Sequence, residues 1–329
     1  MRNLKSIIKI ILLLPFLVSL FDCDNDKKIT GPTGAVTFEI SPLDDEAIRE
    51  ATPLGNMNPP AHTFPTNHIG FYLKGTDFVA VRAIADGTIR TVYYNSGSND
   101  YRIEFKHTET FYSYFDHLKN VSPNIKVSAT VNIGDVIGYG DPAVAAVDLG
   151  VVDYDTTRNF IVPGRYHEFC LYCGDPYLYF AADVRAKLLA KNPRVLAPRG
   201  GKIDFDRDGR LSGNWFLEGT PIAWNASSYE YGSSQLCFVF DMYDPTQIRI
   251  SAGGTLKLAP FVYGVKGNAP DHGEISMSSG VTKYEITSSP TAVMLVQLIE
   301  SRKIKAEVFP NRTKEQVSTF TSDAMIYVR

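Results

Sequence analysis

Between about residues 68 and 153 the chain alternates short apolar-rich runs with turn signals. FVAVRA (78–83), TIRTVYY (88–94), YRIEFKH (101–107) and TFYSYFDHL (110–118) each carry the period-two pattern of a half-buried strand. Asp86-Gly87 and NSGSND (95–100) separate them as hairpin punctuation. VNIGDVIGYGDP (131–142) follows, with Gly134, Gly138 and Gly140 suited to tight turns, and AVAAVDLGVVDYD (143–155) reads as a buried strand. This predicts a β-sheet core rather than a βαβ array. One helix is predicted over PYLYFAADVRAKLLAKNPR (176–194), with Asp175-Pro176 at its start and Asn192-Pro193 at its end. Beyond residue 199 the runs QLCFVFDMY, IRISAG, LKLAPFVYGV, KIKAEVF and AMIYVR predict further strands, and SSPTAVMLVQLIESR fits either a short helix or an apolar strand.

The N-terminus changes the picture from a fold to a compartment. Arg2, Lys5 and Lys9 precede the apolar run IILLLPFLVSLF, which is interrupted by Pro15 and is short for a membrane span. This predicts export. Leu20, three residues before Cys23, has the spacing of a bacterial lipoprotein signal, with Cys23 as the acylated residue, although Asp22 stands where a small residue is usual. The alternative is an ordinary secretory signal with an incidental cysteine. The polar DNDKKITGPTG after Cys23 predicts a flexible tether.

Composition narrows the function. The 329 residues carry 44% hydrophobic and 21% charged side chains, with a formal net charge of −3. With no basic stripe, the sequence gives no case for a nucleic-acid partner. The 18 tyrosines and 19 phenylalanines favour strands. Of the four cysteines, His167-x-x-Cys170-x-x-Cys173 could be read as metal ligands, but the motif lacks a second pair. Structural thiols or one disulfide among Cys170, Cys173 and Cys237 is the preferred reading.

HIGFY (68–72), His107, FDHL (115–118), IGDVIGYG (133–140) and DLG (148–150) occur in an order that resembles the core of the M23 (LytM-like) peptidases, zinc endopeptidases that cut peptidoglycan peptides. FDHL is similar to that family's aromatic-x-His-Leu segment, and IGDVIGYG to its glycine-rich segment. The resemblance implies a zinc ligand at His68, a second at position 72 and a third at position 150. It places a catalytic histidine at His117, with His107 as a second candidate. Position 72 is Tyr72 where the family has aspartate, position 150 is Gly150, and Asp148 replaces the first histidine of His-x-His. Tyr72 could bind a metal only as a phenolate, whose ordinary pKa is about 10, and Gly150 has no side chain. His68 with Asp148 is too small a set for a zinc site that activates water. A second expectation is that Asp148 pairs with His68 or His117 in place of the metal.

One motif lies outside that core. Asp204, Asp206, Asp208 and Gly209 match the start of a calcium loop, but Trp215 occupies the position of its closing glutamate. An acidic turn is the plainer reading. There is no G-x-S-x-G, P-loop or dinucleotide fingerprint.

Together these readings predict a mainly β chain: signal peptide 1–22, lipidated N-terminus and tether 23–50, M23-like β-core with a connecting helix 51–198, and a second β-rich domain 199–329. The expected function is an envelope lipoprotein, membrane-anchored through Cys23, without a cofactor, binding cell-wall peptide, glycan or an envelope protein rather than cleaving it. The alternatives are an active zinc peptidase acting on peptidoglycan and a structural or carbohydrate-binding scaffold.

Overall fold

Period-two alternation gives a strand one apolar and one polar face, and such strands bury their apolar faces by pairing into a sheet. In a computed structural model of the protein, which describes residues 32–143, 146–221, 232–288 and 291–329, the runs of the first half do this. The strands are β1 (Ile48–Ala51), β2 (His68–Leu73), β3 (Val79–Arg82), β4 (Gly87–Asn95), β5 (Asp100–Lys106), β6 (Phe111–Leu118), β7 (Thr130–Val131), β8 (Val136–Gly140) and β9 (Val147–Asp153). Seven form one antiparallel sheet in the order β1-β2-β9-β6-β5-β4-β7, and β3 pairs with β8 separately. Ile69, Phe71, Ile103, Phe105, Phe115 and Leu149 fill its inner face. The residues between them, including His68, Arg102, Tyr114, Asp116 and Asp148, share the other face. The segment expected to be a signal peptide and Cys23 lie outside the described residues.

Two expectations are corrected. The stretch read as tether is built into the fold from Phe38 onward: Phe38 is fully buried against Phe111 and Phe180, and β1 is an edge strand of the sheet. That same Phe38 splits the expected helix. Its backbone bridges Phe180, accepting from Ala181 N–H and donating to the Tyr179 carbonyl, which draws Phe180 and Ala181 into extended conformation. The result is α2 (Pro176–Tyr179), capped by the Asp175 side chain, and α3 (Ala182–Ala190), preceded by the one-turn α1 (Glu168–Leu171).

The second half forms β10 (Gly213–Leu217), β11 (Gln235–Phe240), β12 (Ile248–Ala252), β13 (Phe261–Gly264), β14 (Thr282–Ile286), β15 (Ala292–Glu300), β16 (Lys303–Pro310) and β17 (Met325–Val328). Their order is β13-β12-β11-β10-β17-β16-β15-β14. The two end strands also meet. Val265 bridges Ile286, Lys266 N–H donates to the Glu285 carbonyl at 2.8 Å, and Thr287 N–H donates to the Gly264 carbonyl at 2.8 Å. The sheet therefore closes into an eight-stranded barrel, a size whose interior side chains can fill. Trp215, Phe238, Tyr284, Met294 and Tyr327 do so. The ambiguous segment around 292–300 is β15. Its outward Val293 and Leu295 are covered by Val317, Phe309 and Phe320.

The barrel docks onto the first sheet through aromatic contacts. Phe64 packs on Phe216 at 5.1 Å, the Arg165 guanidinium lies 4.5 Å from the Phe216 ring centre, and Asn214 Nδ2 donates to the Tyr166 hydroxyl at 3.3 Å. Phe216 and Ile203 belong to the first core rather than the barrel's own. The three carboxylates of the expected calcium loop are used here singly. Asp204 receives Lys202 Nζ and Asn159 N–H, Asp206 receives Ile161 and Asn214 N–H, and Asp208 pairs with Arg302. They tie the connecting chain to both halves instead of converging on one point. Cys170, Cys173 and Cys237 are free thiols, with Cys173 Sγ directed at the Asn67 carbonyl and Cys237 Sγ at Asn214 Oδ1.

Candidate functional site

The polar face of the sheet forms the floor of a groove of about 580 Å³. The loop bearing His62, the segment 160–170 and the barrel residues Asn214 and Gln235 form its walls. His68 at the start of β2 lies opposite Gly150 of β9, which in turn lies opposite Tyr114 of β6. Asp148 lies opposite Asp116 on β6.

His117 would face the core by simple alternation. Between Tyr101↔Leu118 and Ile103↔Phe115 the β5–β6 register slips, and His117 adopts φ +64°. A bulge of this kind re-aims one side chain at a small cost in backbone strain. Here it places His117 Nδ1 2.6 Å from Asp100 Oδ2 and Nε2 3.4 Å from Asp148 Oδ2. His68 Nε2 lies 3.3 Å from the same Asp148 oxygen. The four side chains form a continuous chain, His68–Asp148–His117–Asp100.

The electrostatics follow from this geometry. The Asp148 contact, opposed by burial and supported by Asp100, raises the His117 pKa to about 9. Burial alone would raise that of Asp148. The His68 and His117 imidazoles outweigh it and hold the carboxyl below its usual range. Desolvation, reinforced by the adjacent His68 ring at 5.6 Å, pushes His62 down to about 4. Beside this chain, Arg102 forms a bidentate pair with Asp116 at 2.7 and 2.5 Å, and its guanidinium lies 4.8 Å from the Tyr114 ring centre.

Of the residues predicted from sequence, His68, His117 and Asp148 converge, including the expected carboxylate–imidazole pairing. His107 does not join them. It lies on the opposite face of the sheet, against Phe38 and Phe105, donating through Nδ1 to the Asp86 carbonyl and accepting from the Ser113 hydroxyl at Nε2. Tyr72 is half-buried, and burial, Asp148 and Glu50 all raise its pKa, so the phenolate a metal would need is disfavoured. At Gly150 a Cβ would stand 2.0 Å from Tyr114 Cζ and 2.3 Å from its hydroxyl oxygen. The Tyr114 ring thus fills the space in which a ligand side chain at 150 would begin. Burial raises its own pKa well above 10. The donor set therefore does not fit the zinc centre that the family resemblance implies. Among the described residues, no three His, Cys, Asp or Glu side chains are grouped so as to hold a metal ion.

Asp100, Asp116, Arg102, Tyr114 and His62 escaped the sequence reading. Tyr114 and Asp116 share the parity of the groove-facing positions, which was the available signal. Asp100 lay hidden in a turn motif, and nothing marked His62.

The fold and this face together define a peptidase-like β domain. Residues 66–154, 89 of the 329, match the model of peptidase family M23. This stretch is an M23-like domain, and a β-rich barrel follows it. Solved structures similar to the chain include Helicobacter pylori Csd3, at 16% identity over 36% of this chain and 32% of that one, with a TM-score of 0.29. A zinc-containing peptidase from Vibrio cholerae aligns at 15% identity over 37% and 38%, with a TM-score of 0.29. A catalytic-domain mutant of the prophage-encoded M23 protein EnpA from Enterococcus faecalis aligns at 16% over 35% and 87%, with a TM-score of 0.28. The alignments span about a third of the length of the Helicobacter and Vibrio proteins. No curated protein matches the chain. Among the described residues no helix is long and apolar enough to cross a membrane.

Proposed function

We propose that this is an exported envelope protein, tethered by a lipid on Cys23, whose M23-like domain binds cell-wall material without hydrolysing it. One observation carries the reading: Tyr114 occupies the room of the ligand missing at Gly150. Hydrolysis in the M23 manner needs a metal-activated water, and that needs three protein ligands around an open position. Here Tyr72 and Gly150 supply none, while His68 Nε2 and both ring nitrogens of His117 are taken up by Asp148 and Asp100. The groove keeps its walls and floor, which is what a binding protein retains when the catalytic centre is given up.

The test combines metal analysis with exposure to purified sacculi. The expected result is less than stoichiometric zinc after dialysis against zinc, cosedimentation with sacculi and no release of muropeptides. One tightly held zinc per chain with chelator-sensitive release would overturn the proposal.

A further inference from the structure

Resting on that proposal, we infer that the groove takes the uncharged sugar chain of the cell wall rather than its charged peptide, with the Tyr93 ring as the stacking platform. The first argument is charge. Among the described residues that line the groove, only Arg102 and Glu104 carry a permanent charge. Arg102 is used twice over by Asp116, and Glu104 faces Arg90 at 4.0 Å, which also reaches Glu168 at 3.3 Å. No free guanidinium or ammonium is left to receive the carboxylates of a stem peptide. Drawing Arg102 away would leave Asp116 unpaired beside Asp148, at a high cost.

The second argument is what the groove leaves unsatisfied. Thr66 Oγ1 and His68 Nδ1 both line it, both are buried, and among the described residues neither has a hydrogen-bond partner. Thr66 is 4% exposed and His68 9%. Buried polar groups without partners are rare and call for a ligand or an ordered water. A hydroxyl can donate to one and accept from the other, and sugars supply hydroxyls at high density.

The third argument is Tyr93. It pairs with Arg102 across β4–β5 on the groove face, yet is 57% exposed, and its ring meets no other aromatic ring among the described residues. An open aromatic face beside neutral hydrogen-bonding groups matches a pyranose ring, which has an apolar C–H face and a polar rim. The adjacent Tyr94 points to the other face of the sheet, where it pairs with Tyr101 and bonds Asn99.

The test is titration of the full chain with three probes: chitotetraose, glycan strands stripped of stem peptides by amidase and methyl-esterified at the lactyl carboxylates this bares, and free stem peptides. Chitotetraose and stripped strands are expected to bind, with affinity nearly constant from about 50 mM to about 0.5 M salt. Tyr93→Ala should weaken binding about tenfold, and Tyr94→Ala should leave it unchanged. Thr66→Val should weaken binding without lowering stability, since the hydroxyl it removes is unsatisfied in the free protein. Tighter, salt-sensitive binding of stem peptides, indifferent to Tyr93, overturns the sugar assignment and leaves non-hydrolytic binding standing. Binding of none of the three, with no retention on sacculi, overturns both.

Discussion

Adding one methyl group at Gly150 tests whether the Tyr114 ring has taken over the ligand position. The new Cβ would stand 2.0 Å from Cζ and 2.3 Å from Cε1 of that ring. Ordinary carbon contacts lie at about 3.5–4.0 Å, so the ring must recede by about 1.5 Å. It has little freedom to do so. Tyr114 is 1% exposed, stacks on Phe169 at 5.0 Å and carries the Arg102 guanidinium over its face. Overpacking of this kind costs about 1–3 kcal/mol. Tyr114→Ala alone should cost about 3–5 kcal/mol, as for other buried aromatics. In that background Gly150→Ala should become neutral or stabilise by about 0.4–1 kcal/mol, because alanine restricts the unfolded chain more than glycine does. Urea denaturation of the four proteins then yields a coupling of about 2–3 kcal/mol. If Gly150→Ala costs the same with and without the Tyr114 ring, the ring does not fill the site and the central argument about the missing ligand fails.

Stability should also depend on pH. His117 is raised to about 9 from an ordinary value near 6.5, so its contribution is complete below about pH 6.5 and is lost as pH rises through 9. With its side chain 33% exposed, about 2 kcal/mol is expected, read as a falling urea midpoint between pH 6.5 and 9.5 that is absent in His117→Gln. On the acid side, the depressed Asp148 adds stability that disappears as pH falls through its folded pKa. Asp148→Asn should bring the His117 NMR titration midpoint down from about 9, and an unchanged midpoint would refute the role given to that carboxylate. Burial pushes the Cys170 and Cys173 thiols up to about 12, so iodoacetamide at pH 8 should label them far more slowly in the folded protein than in urea.

Strands β3 to β6 were legible because their runs alternate with a period of two and are separated by turn residues. The grouping of His68, His117 and Asp148 was legible only through the order of the motifs that carry the family resemblance. Three features were not, each for a physical reason. The turn of His117 toward Asp148 depends on a register slip against β5, a relation between strands that no single run encodes. His107 sits on an alternating strand whose two faces are distinguishable only once Phe38, from a segment that reads as polar tether, is seen to cover one of them. The break between α2 and α3 comes from the same long-range pairing at Phe180. The Asp204–Asp208 run has the composition of a cation loop, but its carboxylates find backbone amides and cations from three different parts of the chain.

Closure of the second sheet through Val265 and Ile286 bears on how molecules of this protein can meet. An open sheet presents a row of unanswered amides and carbonyls, an invitation for a neighbour to add a strand. The barrel withdraws that invitation, and the first sheet ends on strands of only four and two residues. Copies crowded on one surface would therefore have to associate through side chains, a weaker and more selective form of adhesion than backbone templating.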